Sequence, residues 1–445
     1  MPELSPPKAN AREFRDRSTA DVVGVGFGPS NLAIAIALRG NGKSPAGPSL
    51  TAKFHEAQPE FGWHRGMLLD GASMQVSFLK DLVTMRDPTS DYSFLAYLHE
   101  NRRLDAFVNQ QSFFPSRIDF HRYLEWASAR FADMVSYGSV VEGIEPVECG
   151  GEIAEFDILY RGPGSDRLCR TRAKNVVLAG GLEPVLPGAV EESRRIWHSS
   201  KLLFRVGNLS REARYRFAVV GAGQSAAEAA EYLHRTFPKA IVSIIHSRYG
   251  YSAADDTPFV NEIFDPGAVS TFFNASTEAR QHILRQHGNA NYAAVDTSLL
   301  RELYRRSYDE QVVGTPRLRI LNLSRVVGGT ETSSGHVELN LHNLVDSTSS
   351  TVKFDYAIMA TGYKPRDPRR MLEPLLDHIK LEANGSPCVG RDYRVITAPH
   401  VSGGLYLQGS TEELHGISTT LLSNIAVRAG EIVESIYSRA TTAAN

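Results

Sequence analysis

Two glycine turns in this chain have the residues needed to hold phosphate. The first reads Asp21-Val-Val-Gly-Val-Gly-Phe-Gly-Pro-Ser-Asn-Leu32 and the second Arg216-Phe-Ala-Val-Val-Gly-Ala-Gly-Gln-Ser-Ala-Ala-Glu228. Each places a short apolar run before Gly-x-Gly and an apolar helical pattern after it. Glycine lets the backbone turn sharply and approach a pyrophosphate closely. The helix that follows offers free N–H groups and the positive end of its dipole. Gly26, Gly28 and Pro29 form the first cradle; Gly221, Gly223, Gln224 and Ser225 form the second. Ser225 has two readings, a hydrogen bond to pyrophosphate or a helix cap. One such motif is weak evidence. Two in one chain, each followed by a second apolar strand, point to two dinucleotides bound together, the layout of a flavoprotein that takes hydride from a nicotinamide.

The two turns differ where the nucleotide is chosen. After the first, a strand over Leu50–Glu56 ends on Glu56, an acid placed to accept hydrogen bonds from the ribose hydroxyls of an adenosine. After the second, the strand Ala240–Ile245 ends on His246-Ser247-Arg248. A carboxylate there would repel a 2′-phosphate, whereas the fork of Arg248 would pair with it, so the second site is expected to take NADPH in preference to NADH. The plainer alternatives are an ordinary strand-end glutamate and a solvated surface arginine. In the third slot of the motif Asn31 replaces the usual small residue, while the second turn keeps Ala226.

The elements that must position these turns follow from the apolar patterning. Residues 32–38 continue as a buried helix, and 39–49 form a Gly/Pro-rich loop. The segments Asn175–Pro184 and Val352–Pro365 each close an apolar strand on small residues, which suits two crossovers between a discontinuous first domain and an inserted second one. Gly404–Gly409 is a returning strand that brings Gly409 to the first site, and a final helix spans 418–437. The expected fold is α/β, with two Rossmann-like dinucleotide-binding domains and a small helical substrate lobe. The flavin domain takes 1–211 and 352–445, the NADPH domain 212–351, and the lobe 255–310.

At 445 residues the chain has room for two or three domains. A formal charge of −2 gives no reason to expect nucleic acid or an anionic membrane as partner. The three cysteines are scattered and show neither CxxC nor zinc spacing, which suits a reducing compartment and no metal. Residues 1–20 lack the apolar core of a secretory signal, and no run is long enough to span a bilayer. A cytoplasmic location is the simplest expectation.

Further segments carry a family resemblance. They are Phe61-Gly-Trp-His-Arg-Gly-Met67, Met74-Gln-Val-Ser-Phe-Leu-Lys80-Asp, Asp87-Pro-Thr-Ser90, Met359-Ala-Thr-Gly-Tyr363 and His415-Gly-Ile-Ser-Thr-Thr-Leu-Leu-Ser423. Over about residues 20–437 the chain closely resembles the N-hydroxylating flavin monooxygenases of microbial siderophore biosynthesis, and within them the L-ornithine N5-monooxygenases. The resemblance implies that NADPH reduces FAD, that reduced flavin captures O2 as a C4a-hydroperoxide, and that the neutral side-chain amine of L-ornithine takes up the distal oxygen. It implies no acid/base triad, and the family often forms homotetramers. Trp63, Met74 and Gln75 match positions lining the flavin or nicotinamide. Trp63 and Met74 also suit plain core, and Gln75 is expected as a buried amide. Lys80 matches the lysine that pairs with the amino-acid carboxylate, Asn261 and Asn291 the asparagines that hold the substrate backbone, and Ser418 a serine in the C-terminal loop. Outside this motif Lys80 would read as a solvated helix lysine beside Asp81.

Ornithine and lysine differ by one methylene, worth about 1–3 kcal/mol in a pocket. The stretch Gln111-Ser-Phe-Phe-Pro-Ser-Arg117 resembles the ornithine branch. L-lysine N6-hydroxylation is the nearest alternative. A disulfide reductase would share the two nucleotides but needs a redox cysteine pair. An NADPH-binding flavoprotein without catalysis would bind nucleotide and consume no oxygen.

Overall fold

The computed structural model describes residues 19–40, 50–255, 257–292 and 294–444. The amino-terminal tail and most of the loop expected at 39–49 lie outside the described residues.

The first sheet is organised by the strand Ala20–Val25, which lies parallel between Ala52–Glu56 and the second half of Leu168–Leu178. That long strand is shared. Its first half pairs antiparallel with Glu152–Arg161, and its second half also takes Gly404–Leu407 as a parallel neighbour. Near-continuous apolar runs suit strands covered on both faces, and Val22, Val23, Val176, Val177 and Leu405 are fully buried. The helix Pro29–Arg39 buries Leu32, Ala33, Ile34, Ala35 and Ile36, and it packs on the C-terminal helix Ile425–Ala444. That helix begins at Ile425, not at 418. Two 3₁₀ turns, Ile417–Thr420 and Leu422–Asn424, precede it.

The second sheet is wholly parallel, in the order Leu318–Leu321, Ile241–Ile245, Arg216–Val220, Tyr356–Met359, Ile196–His198. Its two last strands come from outside the span 212–351. The second sheet therefore recruits chain on both flanks of that span, because the apolar strand after Val352 hydrogen-bonds to Arg216–Val220 and not to the first sheet. An antiparallel meander, Ser324–Glu331, Val337–Asn343 and Ser349–Phe354, leads back into it. Between Ile245 and Leu318 the chain is largely helical, with Pro258–Asn261, Pro266–Asn274, Thr277–Tyr292 and Thr297–Val313. Among the described residues no helix is long and apolar enough to cross a membrane.

Candidate functional site

Both glycine turns sit where a central parallel strand delivers the chain into a helix. At the first, Gly26 has φ +83°, and a Cβ there would stand 2.5 Å from the Ala179 carbonyl oxygen. At the second, Gly221 has φ +143°, and its Cβ would stand 2.3 Å from the Ala360 carbonyl oxygen. No side chain fits at either position. The two small-residue strand ends read from the sequence are thus the walls of the two turns. The hydrogen bonding repeats as well. Gly26 N–H donates to the His55 carbonyl at 2.8 Å and Gly221 N–H to that of Ile245 at 3.0 Å.

The helices behind the turns, Pro29–Arg39 and Gln224–Thr236, have Gly28 and Gly223 as N-caps, and no side chain caps either. Ser225 therefore does not serve as a cap. Pro29 sits in the first turn, where its missing N–H costs nothing. A Cβ on Gly28 would meet no atom within 4 Å, and the same holds at Gly409, whose φ is +81°. Open space in front of the first helix's uncapped N-terminus fits a pyrophosphate there, and the second helix is likewise uncapped.

Glu56 is buried at the end of its strand. One carboxylate oxygen accepts from Phe27 N–H at 2.6 Å and the other from Gln58 N–H at 2.8 Å. The acid thus fixes the glycine turn and retains lone pairs for a ribose. By register, the matching position in the second unit is His246. Its Nδ1 bonds the Arg248 carbonyl at 2.9 Å, and burial holds its pKa below the ordinary value. Arg248 is half-buried, with Nη1 donating to Ser252 Oγ at 3.2 Å.

Lys80 does not lie in a helix. It sits in a run of turns, and Asp81 beside it is occupied. The Asp81 carboxylate, 2% exposed, accepts from Val83 N–H (2.9 Å), Thr84 N–H (2.7 Å), Thr84 Oγ1 (2.9 Å) and Phe94 N–H (2.7 Å). Among the described residues no hydrogen bond or ion pair reaches the Lys80 amine. Trp63 is half-buried against His64 and Phe120, and Met74 belongs to the main apolar core. Gln75 is exposed and not buried; its amide reaches Asp296 Oδ1 at 3.4 Å.

The lobe helices fold onto the C-terminal segment. Pro266–Asn274 packs on Glu412–His415, and both Glu262–Phe264 and Thr277–Tyr292 contact Ile417–Thr420. This brings the helix bearing Asn291, and the turn that directly follows Asn261, beside the segment that holds Ser418. Asn261 is half-buried, and the side chain of Asn291 lies outside the described residues. Ser418 is buried and accepts from Asn424 Nδ2 at 2.9 Å, leaving its own O–H to donate. No described hydrogen bond joins Lys80 to Asn261 or Ser418.

His64, in the left-handed region at φ +50°, is an exposed residue, yet the protein mass around its ring pushes its pKa down to about 4, helped by the Arg117 charge. Burial also raises the Tyr363 hydroxyl, whose ring stands 4.8 Å from that of His198.

Two polar networks escaped sequence reasoning. Asn31 Nδ2 donates to the carbonyls of Gly26 (2.7 Å), Val25 (3.2 Å) and Val177 (3.4 Å), so it does by hydrogen bonding what a small residue does by size. Its Oδ1 accepts from Gln408, whose own carbonyl accepts from the buried Arg428. At the second turn, Gln224 is engaged by Glu228 at 2.9 Å and by Asp296 at 3.0 Å. The Gln224/Glu228 spacing, one helical turn, was the only local signal for this.

The sequence pattern of the L-lysine 6-monooxygenase/L-ornithine 5-monooxygenase family matches residues 18–365. The chain is 41% identical over 406 residues to the L-ornithine N(5)-monooxygenase of Burkholderia cepacia, covering 90% of each. It is similar to the ornithine N-hydroxylase of Kutzneria sp. 744, solved with reduced FAD, NADP+ and L-ornithine. The TM-score is 0.90 and the identity 44%, over 95% of this chain and 100% of that one. The L-lysine 6-monooxygenase of Pseudomonas syringae is less alike, at 28% identity and TM-score 0.82 over 94% and 99%. With the pattern covering most of its length and relatives alike from end to end, the chain belongs to the L-lysine 6-monooxygenase/L-ornithine 5-monooxygenase family, the flavin-dependent N-hydroxylating monooxygenases.

Proposed function

We propose that this enzyme N5-hydroxylates L-ornithine with FAD, NADPH and O2, supplying hydroxyornithine for a siderophore or related peptide. The observation that carries the substrate class is the unpaired Lys80 amine beside the occupied Asp81. A half-buried cation with no partner among the described residues suits a carboxylate-bearing substrate. Ornithine is favoured over lysine because the more similar relatives act on ornithine.

Gly26, Gly28, Pro29, Glu56 and Gly409 would hold FAD, with Trp63, Met74 and Gln75 near its ring. Gly221, Gly223, Gln224, Ser225 and Arg248 would hold NADPH, Arg248 taking the 2′-phosphate. Bound flavin supplies the oxygen-transfer chemistry. The protein's part is placement and charge control. Lys80 would anchor the substrate carboxylate, and Asn261, Asn291 and Ser418 the α-carbon groups. The side-chain amine must be neutral to act as nucleophile, and a free carboxylate beside it would hold its proton. Asp81 turns its oxygens to four donors of its own neighbourhood and Asp296 to two glutamines. We read 1–211 with 352–445 as the flavin domain, 212–351 as the inserted NADPH domain, whose sheet borrows the strands Ile196–His198 and Tyr356–Met359 from the flanking segments, and 255–310 as the substrate lobe. A cytoplasmic homotetramer is the expected form.

The test is hydroxylamine product against NADPH consumed, with L-ornithine, L-lysine or neither. Tightly coupled product with L-ornithine alone is expected. Product with lysine alone would overturn the substrate, and NADPH oxidation without any hydroxylamine would overturn the reaction. Lys80→Ala should raise KM for ornithine by about 10–100-fold, the loss of one charge-assisted contact, with NADPH-driven flavin reduction unchanged.

A further inference from the structure

We infer that Arg117, Glu228 and Asp296 form a latch that sets the nicotinamide-binding helix against the flavin side of the cleft, acting as positioning residues for flavin reduction. This rests on the reading that NADPH reduces FAD in this protein.

Arg117 opens the helix Arg117–Ala129, on the flavin side. A cation in a first helical turn faces the positive end of the dipole, so its place there requires a compensating partner. The partner is Glu228 on the second nucleotide helix. Two parallel bonds of 2.7 Å join guanidinium and carboxylate, whose side chains are 14% and 4% exposed. Arg117 also donates to the Met67 carbonyl at 3.1 Å, which pins it to the segment leading to Met74 and Gln75. Glu228 in turn accepts from Gln224, in the first turn of its own helix, at 2.9 Å.

Asp296 completes the connection. It stands at the N-cap of Thr297–Val313, where an aspartate normally accepts from the helix N–H groups, yet its side chain caps nothing. Its carboxylate instead takes Gln224 Nε2 at 3.0 Å and Gln75 Nε2 at 3.4 Å, and its N–H donates to Gln224 Oε1 at 2.9 Å. Gln224 thus has both ends of its amide fixed. Through it the first turn of the nucleotide helix is tied to Gln75 by one route and to Arg117 by another. Both routes cross from one sheet's elements to the other's. Hydride transfer depends steeply on such placement, because small misplacements of reacting atoms cost large factors in rate.

The experiment uses the FAD-loaded enzyme and the variants Glu228→Gln, Arg117→Met and Asp296→Asn. In anaerobic stopped flow, NADPH should reduce the flavin at least tenfold more slowly in Glu228→Gln and Arg117→Met, and less severely in Asp296→Asn. NADP+ affinity should stay within threefold and reduction by dithionite unchanged. The double variant Arg117→Met/Glu228→Gln should be no slower than either single one. Independently of turnover, amide hydrogen exchange over 67–75 and 224–230 should rise in the variants before NADPH is added. Unchanged reduction by NADPH would overturn the latch, as would a slowing fully accounted for by lost FAD or lost NADP+ affinity. A wild-type enzyme whose flavin NADPH cannot reduce would instead overturn the functional reading. If Glu228→Gln fails to fold, Asp296→Asn still decides the matter, since Asp296 lies outside the buried ion pair.

Discussion

The two glycine turns share a backbone and differ in what braces them. Each has a central strand, a glycine with positive φ, a neighbouring strand-end carbonyl at its back and an uncapped helix in front. The first is held by a buried polar chain that runs from Asn31 through Gln408 to Arg428, joining the two ends of the sequence. Asparagine there replaces close packing with directed bonds, rigid whether or not a ligand is present. The second keeps Ala226 in the matching slot and puts its polar bracing on Gln224, whose partners reach toward the other unit. A turn braced within its own unit suits a cofactor that stays. A turn braced across the cleft suits one that arrives, reacts and leaves, and must be aligned each time.

The strongest way to break this comparison is to fill the turns. Gly26→Ala and Gly221→Ala each place a methyl within 2.5 Å of a carbonyl oxygen, at a φ that alanine avoids. Strain and overlap together should cost about 3 kcal/mol or more, roughly 100-fold in nucleotide affinity. Gly26→Ala should be purified without flavin. Gly221→Ala should keep its flavin and fail to bind NADP+ in titration calorimetry. If either variant lost the other unit's ligand, the two turns would not be independent sites.

A smaller effect should come from the strand ends. Glu56 and His246 occupy matching positions, and Arg248 follows two residues after the histidine. Arg248→Ala should weaken NADPH by roughly 10–100-fold, the range for a lost charge-assisted bond, and leave NADH nearly unchanged. Steady-state KM values for the two nucleotides would show it. An equal loss for both would mean that Arg248 supports the fold near Ser252 and not the 2′-phosphate.

What could be read from the sequence was what lies close together along it. The glycine turns, the strand-end Glu56 and His246, and the helix after each turn are encoded within short windows, where apolar period and glycine placement suffice. The strands Ile196–His198 and Tyr356–Met359 look alike from within, and nothing in their own residues says which sheet will take them. Lys80 was found through its motif, but its freedom depends on Phe94 N–H helping to occupy Asp81. Asn31 looked like a departure from the pattern because its partners Val177 and Gln408 are distant in sequence. The Arg117–Glu228 pair and Asp296 were invisible for the same reason, since they join elements that meet only when both sheets are formed.

The smallest expected effect separates the two units by pH. Each buries an imidazole where strand meets turn. His55 is 3% exposed, its ring nitrogens held by Ser139 Oγ at 2.8 Å and Thr171 Oγ1 at 3.2 Å, and burial pushes its pKa down to about 4. His246 is lowered by burial too, but the bond from its ring to the Arg248 carbonyl favours the charged form and opposes the shift. A lowered folded pKa means that the fold holds the neutral ring while the unfolded chain takes up a proton below about 6.5. The stabilisation is therefore fully present above pH 6.5 and is lost as the pH falls toward 4. Denaturant unfolding of the FAD-loaded enzyme between pH 7 and pH 4.5 should show it. Near pH 5, His55→Gln should reduce the protons taken up on unfolding by about one. His246→Gln should reduce them by less, because its carbonyl partner already stabilises the cation. Equal reductions would mean that the two strand ends are the same environment, and that only the side chains at Glu56 and Arg248 distinguish one nucleotide site from the other.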